Sequence, residues 1–211
     1  MSIQSKLTIV DINASVPTTI ADYVEKQMES LKSDCLDADL TDIMMRIYSS
    51  LGRELKKSHI DTAINKTFSL LDCCRIFLLI KFKMQFSKQF LASLMLLIKY
   101  ADDEEKSSIV KGLFFIDEAG DLTDVIIDLC RTNSVDLLAA IGIGNPYPSI
   151  FFPQNNFNQL VLKLLFCQLD IRFVIGLFER KNLELSRMAS DYKQERINAN
   201  RTIPLNIELV I

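Results

Sequence analysis

The chain has 211 residues, 49% hydrophobic and 24% charged, enough for one globular domain or one domain with an appended arm. A chain of this size buries about 70% of its unfolded surface, so general disorder is excluded. A net charge of −3, one His, no Trp and six Gly exclude the basic surface of a nonspecific nucleic-acid binder and most histidine-based or glycine-loop chemistry.

Met1 to Val10 carries Lys6 and no secretory-type apolar stretch, so the start reads as mature protein, with residues 1–16 open to reading as an extended arm. Apolar residues then recur at three- and four-residue intervals almost throughout, while strict alternation is confined to Leu7–Ile12. The fold class expected is all-α: antiparallel helical pairs packed as a compact bundle or an irregular HEAT-like array, in a single domain over 1–211. No clean repeat period supports a regular solenoid. Early helices are expected over Thr18–Lys32, Asp39–Lys57, Leu70–Phe82 and Ser87–Tyr100. Phe68–Phe82 is the most apolar region, but Asp72, Arg75 and Lys81 interrupt it, so it reads as a buried helix rather than a membrane span.

Asp102 with Glu105 is an acidic capping box for a helix that buries Ile109, Val110, Leu113 and Phe114 and stops before Gly120. Asp121 is expected to start the next helix, ending at Thr132–Asn133, and Ser134 to cap the one after. Pro146, Pro148 and Pro153, preceded by Gly142 and Gly144, then forbid a continuing helix and mark one elaborate loop. Helix resumes over Asn156–Cys167, around Ile171–Leu177 and from Asn182 to about Asn198.

Several residues carry chemical weight. In the loop, Asn145, Tyr147 and Phe151 sit on a stiffened backbone that serves as a binding lip or, the favoured reading, as a plug over a core edge. Gly142-Ile143-Gly144 lacks the third glycine and the preceding strand of a nucleotide loop. Asn158, Gln159 and Lys163 suit an anionic or polyhydroxylated ligand, or else make a solvated helix face. On the last helix Arg187 can pair with both Glu184 and Asp191, while Asp191 and Glu195, like charges four apart, call for a cation such as Arg172, Arg180, Arg196 or Arg201. A structural ion-pair network is preferred there to catalysis, because nothing supplies a nucleophile beside a base. His59 stands at an apparent helix end without a Ser or Cys partner. The five cysteines include no CxxC, which favours reduced thiols in the cytoplasm, and no metal or cofactor is expected.

The last third carries a denser pattern: Asn145-Pro146-Tyr147-Pro148, Phe152-Pro153, Phe157-Asn158-Gln159-Leu160-Val161-Leu162-Lys163 and Gly176-Leu177-Phe178-Glu179-Arg180. It continues through Asn182, Glu184-Leu185, Arg187-Met188, Asp191-Tyr192, Glu195-Arg196 and Arg201. In order and spacing this resembles the carboxy-terminal signature of the EboA-domain family, over residues 131–201. The resemblance implies no established enzymatic activity. It implies a cytoplasmic accessory in gene clusters that make or move secondary-metabolite precursors, including across the inner membrane, with a protein partner from the same pathway. The residues it marks are the Asn145–Pro153 loop with Asn158, Gln159, Lys163, Arg180, Arg187, Asp191 and Arg196.

Three readings follow. An adaptor docking through the aromatic loop requires that loop to be exposed. A binder or enzyme that holds an anionic precursor on Lys163, Arg180 and Arg187, with Asp191 or Glu195 moving protons, requires a concave pocket. A buried structural network fixing the last helices together requires neither.

Overall fold

The computed structural model describes residues 8–29, 31, 37–57 and 68–211, and these are all-α: twelve α-helices and two short 3-10 turns, with no strand among them. The chain divides into two compact units, Met1–Glu118 and Ala119–Ile211, each described by itself below. His59 and Cys35 lie outside the described residues.

The first unit holds α1 (Ile9–Ser15), α2 (Thr18–Glu29), α3 (Asp37–Lys57), α4 (Leu70–Gln85), α5 (Ser87–Tyr100) and α6 (Asp103–Ile116). The extended arm expected over residues 1–16 is instead helical across Ile9–Ser15. Thr8 accepts the Asp11 N–H and Asp11 takes the Thr8 N–H in return, a reciprocal cap that starts the helix. Ile12, fully buried, then anchors α1 in a unit where it packs on α4, a burial that contributes about 1.5–3 kcal/mol. Helix α4 is the centre of the unit, with Cys73 through Ile80 all buried, and its most extensive partner is α6. Gly112 permits that approach, since a Cβ there would lie 2.7 Å from Ile76 Cγ1. The expected capping box at Asp102 and Glu105 is present on α6, whereas Phe114, expected inside, is 38% exposed.

The second unit holds α7 (Thr123–Leu129), α8 (Val135–Gly142), α9 (Tyr147–Phe151), α10 (Gln154–Phe166), α11 (Leu177–Arg180) and α12 (Leu183–Asn198). Helix α7 starts later than Asp121: Gly120 turns in the left-handed region at φ 78°, and Thr123 Oγ1 bonds its carbonyl at 2.7 Å. It also ends at Leu129, short of Thr132. Ser134 caps α8 through the Leu137 N–H, as expected, and Asn182, expected as the start of the last helix, is its N-cap and accepts the Leu185 N–H. The proline loop contains a helix that the prolines hide. Pro148 falls in the first turn of α9, where the missing N–H has no intrahelical partner to lose. Between Ile171 and Leu177 only a 3-10 turn forms, at Ile171–Phe173. Helix α10 runs through the middle of this unit, packed on α8 and α12.

Candidate functional site

The loop that supplies Asn145, Tyr147 and Phe151 is a plug. Tyr147 is fully buried, Phe152 is 3% exposed, and the half-buried Phe151 ring lies against Gly120 with its centre 4.7 Å from that of Tyr147, the two rings inclined at 47°. Asn145 folds the turn from inside, donating to the Ala140 carbonyl at 3.1 Å and accepting the Tyr147 N–H at 3.0 Å. These side chains hold α8 to α9 and present no aromatic lip.

Beside the plug, Arg180 closes the carboxy-terminal end of α9. Its Nη1 donates to the carbonyls of Pro148 (2.9 Å) and Ser149 (3.1 Å) and its Nη2 to that of Phe152 (2.8 Å), while Nε and Nη2 both reach Gln154 Oε1 at 3.3 Å. A guanidinium has five N–H donors, and all five are used. The charge lies at the carboxy-terminal end of α9, and the guanidinium carbon sits 4.4 Å from the centre of the Phe157 ring. Desolvation by burial lowers the Arg180 pKa.

Gln154 passes the network on, donating to the Arg180 carbonyl (3.0 Å) and to Asn158 Oδ1 (2.9 Å). Asn158, 1% exposed, exchanges two amide bonds of 3.2 Å with Asn182, whose Oδ1 also caps α12. The result is a closed lattice of one guanidinium and three carboxamides joining α9, α10, α11 and α12. It lines an open cleft of ≈ 710 Å³ together with Asn155, Glu179, Lys181, Leu183 and Glu184.

The other sequence candidates are not part of that cleft. Lys163 donates to the Cys130 and Thr132 carbonyls at 2.5 and 2.7 Å, so its ammonium closes the end of α7. Arg187 binds Glu184 and Asp191 at 2.7 and 2.9 Å along exposed α12, as the spacing expects, and the Glu184 carboxyl is held below its usual range by that bond. Arg201 lies 3.7 Å from Glu195, Arg196 Nε bonds the Thr202 carbonyl at 2.9 Å, and Gln159 is exposed on α10. Of the ten candidates, only Asn158 and Arg180 therefore meet in one lattice.

Sequence reasoning missed a second polar cluster, inside the first unit. Asp72 Oδ1 accepts from Ser108 Oγ and Oδ2 from Lys111 Nζ, each at 2.7 Å. Arg75 Nη1 donates to Ser108 Oγ (3.1 Å) and Glu104 Oε1 (3.3 Å), and its guanidinium lies 5.3 Å over the Tyr48 ring. Tyr48 OH reaches the Glu105 carbonyl at 2.9 Å, which ties α3, α4 and α6 together. Burial pushes the Asp72 carboxyl up, but the bond and charge of Lys111, the Ser69 N–H and the Ser108 hydroxyl outweigh it and leave it below the usual range. A serine bonded to a carboxylate suggests base and nucleophile, yet Ser108 is 1% and Asp72 4% exposed, so no substrate reaches them. Asp72 and Arg75 were visible in the sequence as charges inside an apolar run.

The described cysteines Cys73, Cys74, Cys130 and Cys167 are free thiols. Burial raises Cys73 to about 11 and Cys74 and Cys130 to about 12, so these three stay protonated and weakly nucleophilic at neutral pH. Among the described residues no group of three or more His, Cys, Asp or Glu is placed to hold a metal ion, and no helix is long and apolar enough to cross a membrane.

Compared with known families, the chain matches a model described as metabolite traffic protein EboA over residues 15–211, far beyond the carboxy-terminal signature. No curated protein and no solved structure matches.

Proposed function

The chain belongs to the EboA family, and from that premise we propose that it is a non-catalytic cytoplasmic accessory of metabolite traffic that acts by binding a protein partner of the same pathway. The observation that carries this reading is the turn between α11 and α12. Leu183, on the cleft wall, is 91% exposed and Phe178, on α11, 66%, and charged Glu179, Lys181 and Glu184 are their neighbours along the chain. Apolar anchors inside a polar rim are the make-up of a protein contact surface. The alternative, an anionic precursor held by Lys163, Arg180 and Arg187, has less support, since Lys163 and Arg180 are spent on backbone carbonyls and Arg187 on Glu184 and Asp191.

The docking element is thus moved from the buried aromatic loop to the α11–α12 turn. The test is capture of partners from the native cells by tagged wild type and by a Phe178→Ser, Leu183→Asp double variant of unchanged melting temperature. A pathway protein captured by wild type and lost from the variant is the expected result. Equal capture by both chains places the contact elsewhere and overturns this assignment.

A further inference from the structure

The cleft of the second unit holds polar groups that the Arg180 lattice does not use. Asn155 on α10 and Glu179 on α11 line it, are exposed, and have no side-chain hydrogen bond or ion pair among the described residues. Lys181 spends two ammonium N–H groups on the Leu209 and Ile211 carbonyls, at 3.2 and 2.7 Å, and keeps a third. Asn158, also on the cleft wall and 1% exposed, gives one amide N–H to Asn182. Its other amide N–H has no acceptor among the described residues. A buried donor in that state calls for an oxygen from outside the chain.

These groups discriminate between ligand chemistries. The carboxylate of Glu179, with no cation paired to it, disfavours an anion, and Arg180 is already spent on carbonyls. A purely apolar ligand would strip water from that carboxylate and from the Asn158 amide without replacing the bonds, which is costly. A ligand that answers both must offer donors and acceptors side by side. Vicinal hydroxyls do this, since each carries one O–H donor and two lone pairs.

We propose that the cleft binds a neutral polyhydroxylated molecule of the hexopyranose or cyclitol class. Glu179 accepts from a pair of neighbouring hydroxyls in charge-assisted bonds, and the Asn155 and Asn158 amides donate to their oxygens. Leu183 and the aliphatic stems of Gln154 and Lys181, on the same wall, offer carbon surface to the C–H face of the ring. The volume of ≈ 710 Å³ falls within the range of small-molecule sites. Water competes for each bond in an open cleft, so the dissociation constant is expected at about 1–10 mM.

Titration of the isotope-labelled full chain tests this, read by the side-chain amide resonances of Asn155 and Asn158. The ligands are the methyl pyranosides of glucose, mannose and galactose, myo-inositol, and inorganic phosphate as the anionic comparison. The titration needs no partner protein, so its outcome is separate from that of the capture experiment. At least one polyol is expected to shift both resonances along a saturating curve. Glu179→Ala, at an exposed and unpaired position, is expected to keep the wild-type melt and weaken that polyol about tenfold. No saturating shift from any of the polyols overturns the proposal, as does an affinity that Glu179→Ala leaves intact. Phosphate that saturates the same resonances and binds tighter to Glu179→Ala assigns the cleft to an anion and overturns it too.

Discussion

Replacing Arg180 by methionine removes five hydrogen bonds from one point of the second unit while keeping an aliphatic chain over Phe157. Three of the acceptors are the carbonyls of Pro148, Ser149 and Phe152, which lose the guanidinium, Pro148 keeping only the Phe152 N–H. At about 1 kcal/mol net for each of these three bonds, with about 1 kcal/mol for the cation on the ring, the sum is about 4 kcal/mol. Arg180 is only partly buried, and water recovers part of the loss, which sets the expectation at about 2–3 kcal/mol. For a chain of this length that corresponds to a melting temperature about 4–12 °C lower, read by the far-ultraviolet dichroism of the helices. Arg180→Lys keeps the charge but has three donors and no planar fork, so it is expected to recover less than half of the difference. A melt for Arg180→Met that overlays wild type would refute the clasp.

Other expectations follow from the same geometry. Tyr147→Ser empties a fully buried site and costs about 3–5 kcal/mol, as judged by urea denaturation, whereas Leu183→Asp on the surface stays within about 0.5 kcal/mol. Gly112→Ala pushes a methyl group against Ile76 between α4 and α6 and costs about 1–3 kcal/mol in the same assay. Asp72 has a folded pKa below the ordinary 3.8, so its stabilising contribution is present above pH 3.8 and is lost as pH falls through the lower folded value. Stability measured from neutral pH into acid should therefore fall less steeply for Asp72→Asn than for wild type.

What the sequence disclosed and what it hid have separable causes. Signals within one turn of the chain were legible: the Asp102–Glu105 box, the Ser134 cap, and the pairing of Arg187 with Glu184 and Asp191. Partners set by tertiary folding were not. Asp72 finds Ser108 and Lys111 at separations of 36 and 39 residues, so the sequence shows only a charge interrupting an apolar run. Arg180 and Lys163 are hidden for a different reason, since their acceptors are backbone carbonyls that leave no mark on residue identity. Proline punctuation concealed α9 because a proline in the first turn of a helix and a proline in a loop look alike in one dimension. The Thr8–Asp11 capping box lies inside a short alternating run, a strand-like pattern that masks the helix start it makes.

The proposed contact of the α11–α12 turn with a protein partner is open to a direct test. The most direct measurement places a photo-reactive benzoylphenylalanine at Leu183, and separately at exposed Asp128 on α7, in chains expressed in their own cells. Irradiation is predicted to join one discrete pathway protein to the chain labelled at 183 and none to the chain labelled at 128. No adduct from position 183, or the same adducts from both positions, would contradict the account.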